Sequence, residues 1–405
     1  MLPLISRRLA SPLHFPKLIA SGLMSACIPR ALSAKASRHA SSEGAAHYWF
    51  PPESSPHEAT ILAYPSKGSM GRSSVGPFRN GIIELAAAIS GLEPVRLYAR
   101  PEDIGGVRRK LGRRVHKSEN VSVLEMPVVH PWVRDTGPNY VFSNVGDICG
   151  KPERFAIDFN FNEWGGKEVC NYGVKELEDN AMFSKRVIAA DRHPLPVTRI
   201  STDLHLEGGA LEMDGEGTLI ITESAVLNAN RNPDLSRGEI YERLSRLLGV
   251  SKIISLKGIK GKDITDCHVD AVVRFARAGV VVVSRPHINS GKEWVAVADE
   301  AIAILSNDTD AHGRAFEVHV LQEPDPLPLM DSPGDELVLS YANFYYVNGG
   351  VIIPAFGDTE ADRAAKGLFE RLFPGRSIVQ VKVHAMVKEG GGIHCVTQQV
   401  PKLPA

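Results

Sequence analysis

From about residue 46 onward, short apolar runs alternate with amphipathic stretches. Several segments repeat one order: apolar strand, polar loop, amphipathic helix, second strand. Ala59–Tyr64 leads to a helix near Phe78–Ile89 and the strand Val95–Tyr98. Thr218–Thr222 leads to a helix near Ser236–Leu248, N-capped by Ser236 and ended by Gly249, then the strand Lys252–Leu256. Gly279–Val283 leads to a helix near Glu293–Leu305 and the strand Phe316–Val320. Gly350–Pro354 leads to a helix near Thr359–Phe373, capped by Thr359, and the strand Ser377–Val381. A less regular fifth copy runs from Asn139–Phe142 through a helix near Glu168–Ala181 to Arg186–Ala189. Units of this kind suggest an α/β repeat architecture around an axis, in which loops from different units converge at one end. The spacing between copies is uneven, so a generic α/β sheet fits the alternation as well.

Composition narrows the class. The chain has 405 residues, 43% hydrophobic and 23% charged, with a formal net charge of −1, so no basic excess points to nucleic acid or a membrane surface. No apolar run approaches the ~20 residues needed to span a bilayer. The five cysteines (Cys27, Cys149, Cys170, Cys267 and Cys395) are scattered and odd in number, with no C-x-x-C pair, which excludes a disulfide framework and argues against structural zinc. Residues 1–43 stand apart: Arg7, Arg8, Lys17, Arg30, Lys35, Arg38 and many serines precede the first acidic residue, Glu43. That composition fits a mitochondrial targeting segment; a secretory signal, a disordered extension on a cytoplasmic protein or a start at Met24 are the alternatives. No linker divides residues 44–405, which read as one domain.

The polar motifs carry the chemistry. Gly390-Gly391-Gly392-Ile393-His394-Cys395 is a loop that turns tightly and passes close to a ligand, holding a thiol at the floor of a pocket. Cys27, Cys149 and Cys170 lack such a setting and read as structural; Cys267 abuts His268 and is ambiguous. On a strand, His268 and Asp270 of His268-Val269-Asp270 would share one face. Trp132-Val133-Arg134-Asp135 places Asp135 before a turn closed by Gly137 and Pro138, with Trp132 as a flat wall for a cation. Glu207-Gly208-Gly209 sets a carboxylate beside permissive backbone, whereas Asp214–Gly217 reads as a hairpin turn. No P-loop or dinucleotide fingerprint occurs. A thiol, an imidazole and three carboxylates suit attack on a planar, cationic, electron-poor carbon.

Trp132–Pro138, Phe161–Lys167, Glu207–Gly209, Asn230–Pro233, His268–Asp270, Ser340–Phe344 and Gly390–Gln399 with Pro401 occur in the order and spacing of one family. From about residue 50 to 401 the chain resembles the agmatine deiminase and bacterial-type peptidylarginine deiminase family, of the guanidine-modifying pentein superfamily. The resemblance implies a five-bladed pseudo-symmetric β/α propeller that hydrolyses a small guanidino substrate without metal or organic cofactor. It implies Cys395 as nucleophile, His268 as acid and base, and Glu207 as the residue that orients His268. Asp135 and Asp270 would grip the guanidinium, assisted by Trp132, Gly391 and Gly392. The guanidinium and His268 would favour the Cys395 thiolate. Dimers or larger assemblies are also implied. Agmatine, yielding N-carbamoylputrescine on the route to putrescine and other polyamines, is the favoured substrate; peptidyl-arginine, another guanidino compound or a catalytically silent scaffold are the alternatives. The chain departs from the family pattern at Ile264, where an acidic residue near the distal amine is expected, at Cys267 in place of Gly, and at Ala271 in place of Asn. It departs also at His130-Pro131 and Tyr64-Pro65.

Overall fold

A computed structural model describes residues 47–114, 120–144, 152–191, 196–331 and 337–404. The expected targeting segment, with Cys27 and the boundary near residue 43, lies outside the described residues, as does Cys149.

Five small sheets share one plan. In each, a central strand pairs antiparallel with one neighbour and, across a helix, parallel with the next. In module I the central strand His57–Ala63 is followed by the helix Arg72–Ser90 and the strand Val95–Ala99. Its antiparallel partner is the C-terminal strand Gln398–Pro401, so the chain closes on itself. The other central strands are Glu153–Asp158, Thr218–Thr222, Val280–Arg285 and Gly350–Ala355 in modules II to V. Their helices are Val174–Ala190, Arg237–Leu248, Lys292–Asn307 and Thr359–Leu372.

The apolar runs explain how the modules join. A strand covered on both faces reads as a continuous hydrophobic run, yet its side chains still alternate. Ile61 and Ala63 pack into a core shared with module II, while Leu62 faces the core shared with module V. Leu219 and Ile221 face module II, and Ile220 faces module IV. Val281 and Val283 face module III, and Val280 and Val282 join the core that holds Val351 and Phe369 of module V. Each pair of neighbouring modules therefore shares a core, and the run of five returns to its start. These sheets are compatible with the five-bladed architecture that the resemblance implied.

Three local readings need correction. In module II, Asn139–Ser143 is the outer strand and Glu153–Asp158 the central one. Arg186–Ala189 is helix, and the last strand is Thr198–Ser201. Asp179, Asn180, Phe183, Ser184, Val187 and Ile188 form one buried stripe at helical spacing, which carries the helix past the expected end. The cap of the module V helix is Asp358, whose carboxylate accepts from the Glu360 and Ala361 amides. His268–Asp270 is not a strand: His268 leads into a single 3-10 turn over Val269–Ala271.

Candidate active site

The predicted residues converge from four modules. Asp135 sits in one helical turn, Val133–Thr136. Gly137 follows, and a Cβ there would lie 2.3 Å from the Val133 carbonyl oxygen, which is why a glycine closes this turn. Glu207 ends an extended segment at Gly208–Ala210. A Cβ on Gly209 would stand 2.7 Å from His268 Nδ1, 2.9 Å from Asp135 Oδ1 and 3.1 Å from Asp270 Oδ2. The bare backbone of Gly209 is thus the point on which imidazole and both aspartates close.

Cys395 is half-buried, its Sγ 3.8 Å from Asp270 Oδ2 and 3.4 Å from Asn343 Nδ2. The three glycines before it act differently. Gly390 has φ +87°, the left-handed region. Added Cβ atoms would lie 2.4 Å from the Trp132 ring at Gly391 and 2.4 Å from Asn343 Oδ1 at Gly392. Gly391 and Gly392 therefore let the loop lie flush against Trp132 and Asn343.

The imidazole of His268 stands between Glu207 Oε2 at 3.4 Å and Asp135 Oδ1 at 3.6 Å. Burial opposes its protonation, but Asp135, Glu207 and Asp270 outweigh burial and raise its pKa to about 9. Burial pushes the Asp135 carboxyl up to about 6, with His268 pulling the other way and Asp270 and Glu207 adding to the rise. Glu207 is buried too, yet Arg231 and His268 hold it below the usual carboxylate value. Arg231 does so through Nε, 3.0 and 2.9 Å from the two Glu207 oxygens, while its Nη1 reaches Asp266 Oδ2 at 2.9 Å.

Asp270 Oδ2 is 2.7 Å from His394 Nδ1, and His394 Nε2 is 2.8 Å from Glu53 Oε2. The other oxygen, Oδ1, is buried without a hydrogen-bond partner among the described residues. Burial opposes the charge on Asp270, but His394, His268 and Arg274 keep its pKa below the usual value. The thiol is the exception to expectation. Burial, then Asp270 and Asp135, push Cys395 well above the ordinary cysteine value, so His268 does not secure a thiolate in the substrate-free site.

Trp164, Asn343, His394 and Arg231 were not among the expected site residues, although the motifs containing them were. Trp164 donates its indole N–H to Asp135 Oδ2 at 2.9 Å. It is placed by four successive left-handed residues, with φ of 59° at Glu163, 51° at Trp164, 79° at Gly165 and 82° at Gly166. Glu163 holds that strained turn by accepting from Asn180 Nδ2 at 2.7 Å and by meeting His130 Nε2 at 2.9 Å. Cys267, at φ +70°, is also left-handed, which accounts for the glycine in the family pattern. It is buried in the core shared by modules III and IV, and burial pushes its thiol up to about 12.

The family model of Porphyromonas-type peptidyl-arginine deiminase matches residues 49–401. The chain belongs to this family. It is 35% identical over 370 residues to the agmatine deiminase of Stutzerimonas stutzeri, covering 87% of this chain and 95% of that one. It is 34% identical over 378 residues to the agmatine deiminase of Medicago truncatula, covering 88% and 97%. The solved agmatine deiminase of Enterococcus faecalis superposes with a TM-score of 0.77 at 29% identity, covering 88% of this chain and 96% of that chain. As a Porphyromonas-type deiminase the chain is a hydrolase of the guanidino C–N bond with the pentein fold. Among the described residues no helix is long and apolar enough to cross a membrane.

Proposed function

We propose that this protein deiminates agmatine, giving N-carbamoylputrescine and ammonia. The observation that carries the reading is Asp270: its Oδ2 lies 3.8 Å from the Cys395 Sγ, its buried Oδ1 has no partner among the described residues, and Asp135 meets it at Gly209. A buried acceptor without a partner is costly unless a ligand supplies the donor, and a guanidinium offers several in one plane. Two aspartates closing on one point near a thiol suit a planar cation.

The chemistry follows from that placement. The arriving guanidinium offsets the negative charge of Asp135 and Asp270, which in the empty site disfavours the thiolate. Binding therefore promotes loss of the Cys395 proton to solvent water. The thiolate adds to the guanidinium carbon and forms a tetrahedral adduct. His268 gives its proton to the departing nitrogen, and ammonia leaves an S-alkylthiouronium on Cys395. His268, now neutral, takes a proton from the water that attacks the same carbon. Collapse of that hydroxyl adduct breaks the C–S bond and forms the ureido C=O, and the hydroxyl proton goes to the departing Cys395 sulfur. Glu207, fixed by Arg231, keeps the imidazole oriented and favours its protonated form.

Ile264 favours a second reading, peptidyl-arginine or another guanidino substrate, because an apolar residue stands where a distal ammonium would want a carboxylate. One assay separates the two: ureido product from agmatine, free arginine and an arginine peptide. We expect turnover of agmatine well above the others, complete loss in Cys395→Ala, and a covalent adduct of a haloacetamidine at Cys395 but not at Cys267. Ureido product from the Cys395→Ala protein would overturn the nucleophile. Turnover of the peptide alone would move the substrate and keep the mechanism.

A further inference from the structure

We propose that a cavity of about 390 Å³ beside the catalytic residues seats a second cationic group of the substrate, with Glu389 and Glu168 as its counter-charges. The inference rests on the deiminase reading above and names the residues that set its substrate preference.

The cavity begins where the catalytic residues end. Trp132, which lies under the Cys395 loop at Gly391, forms part of its wall. So does Trp164, which holds Asp135 through its indole N–H. Glu389 immediately precedes Gly390 of the nucleophile loop and lines the cavity too. A chain leaving a guanidinium gripped by Asp135 and Asp270 would pass between these side chains.

Its chemistry is that of an ammonium site. His130, Trp132, Trp164 and Tyr172 supply aromatic faces, Glu168 and Glu389 supply carboxylates, and among the described residues no lysine or arginine lines it. The His130 ring stands 5.1 Å from that of Trp164 and 4.9 Å from that of Tyr172. Neither Glu168 nor Glu389 has an ion-pair partner among the described residues; Glu168 only accepts a hydrogen bond from Asn171. His130 is 4% exposed, and its Nδ1 is buried without a partner. Its Nε2 meets the Glu163 carboxylate at 2.9 Å. The Tyr172 hydroxyl donates to the Ser69 carbonyl at 3.0 Å. Burial, then Glu168, Glu163, Glu176 and Glu389, hold its pKa above the ordinary phenol value. Ile264 lies on the boundary of the same cavity. Glu389 and Glu168 thus supply from the facing loops the charge that position 264 lacks.

The test compares agmatine with butylguanidine, which keeps the guanidinium and the four-carbon arm but ends in methyl. Ureido formation is measured for the wild-type protein, Glu389→Gln, Glu168→Gln and the double variant. We expect the double variant to lower the agmatine-to-butylguanidine ratio of kcat/KM by roughly tenfold, the effect of losing one modest ion pair. The loss should appear in KM rather than kcat, and Ile264→Glu added to the double variant should restore it. An unchanged ratio, or equal losses on both substrates, would overturn the assignment. Absence of ureido product from either substrate in the wild-type protein would sink the deiminase reading and this inference with it.

Discussion

At the residue scale, Asp135 and His268 would set the working pH of the proposed reaction. In the proposed mechanism Asp135 grips the guanidinium only when ionised, and burial raises its carboxyl to about 6. His268 donates only when protonated, and its carboxylate neighbours raise its pKa to about 9. The profile of kcat/KM should be a bell with limbs near those values, belonging to the coupled Asp135, His268 and Glu207 set rather than to single groups. Trp164→Phe deletes the indole N–H that favours the charged form of Asp135, so the acid limb should move to higher pH. An acid limb that stays put would remove Asp135 from that role. Both groups bind protons more tightly folded than unfolded. Each therefore withdraws stability as pH rises, Asp135 up to about 6 and His268 through about 9. Neither shift was legible in the sequence, because each depends on burial and on neighbours distant along the chain. The residue types were legible, since a thiol after three glycines and a His-x-Asp are local patterns.

At the element scale, the sequence distinguishes poorly between a loop that is narrow and a loop that is packed. Three glycines in a row read as one device. Gly390 alone has a left-handed backbone and open space around its missing Cβ, whereas Gly391 abuts the Trp132 ring. Alanine at each position should separate the two. Gly391→Ala must push Trp132, which packs edge-on against Phe78 at 5.3 Å, and overpacking costs about 1–3 kcal/mol. We expect haloacetamidine labelling of Cys395 to slow by more than about tenfold in that variant. Gly390→Ala should cost about 1 kcal/mol of stability through backbone strain with little change in labelling. Equal labelling rates in the two variants would contradict this division. Module II teaches the same lesson. Arg186–Ala189 looks like a strand by composition, but Val187 and Ile188 continue the stripe begun at Asp179 and Asn180. The true central strand, Glu153–Asp158, is polar at its ends and hides its buried Phe155-adjacent core positions Ala156 and Ile157 in a short run.

At the scale of the whole molecule, the modules meet around buried charge. Glu53 precedes module I and Arg134 precedes module II; Glu212 lies on the outer strand of module III (Glu212–Met213), Arg274 on that of module IV (Val273–Arg277) and Tyr346 on that of module V (Tyr345–Val347). Arg274 is 1% exposed. It reaches Glu53 Oε1 at 3.0 Å and Glu212 Oε2 at 2.6 Å, and donates to the Phe344 carbonyl at 2.8 Å. Glu53 also takes Arg134 at 3.2 Å and the Tyr346 amide at 3.2 Å, and through His394 it touches Asp270. No repeat pattern announces this network, because each module contributes a different residue type. Removing one member strands the rest: Arg274→Met leaves Glu53 and Glu212 short of their shared cation, and breaking such a buried pair costs about 3–5 kcal/mol. Burial already raises Glu212 to about 7 with Arg274 present, and losing the guanidinium raises it further. At pH 6 the stranded Glu212 is neutral and the loss is smaller; at pH 8 more of it must be charged and the loss grows. Urea unfolding of wild type and Arg274→Met at both pH values measures the difference. A destabilisation that is equal at pH 6 and pH 8, or larger at pH 6, would show that Arg274 holds the modules by packing over Phe344 rather than by charge.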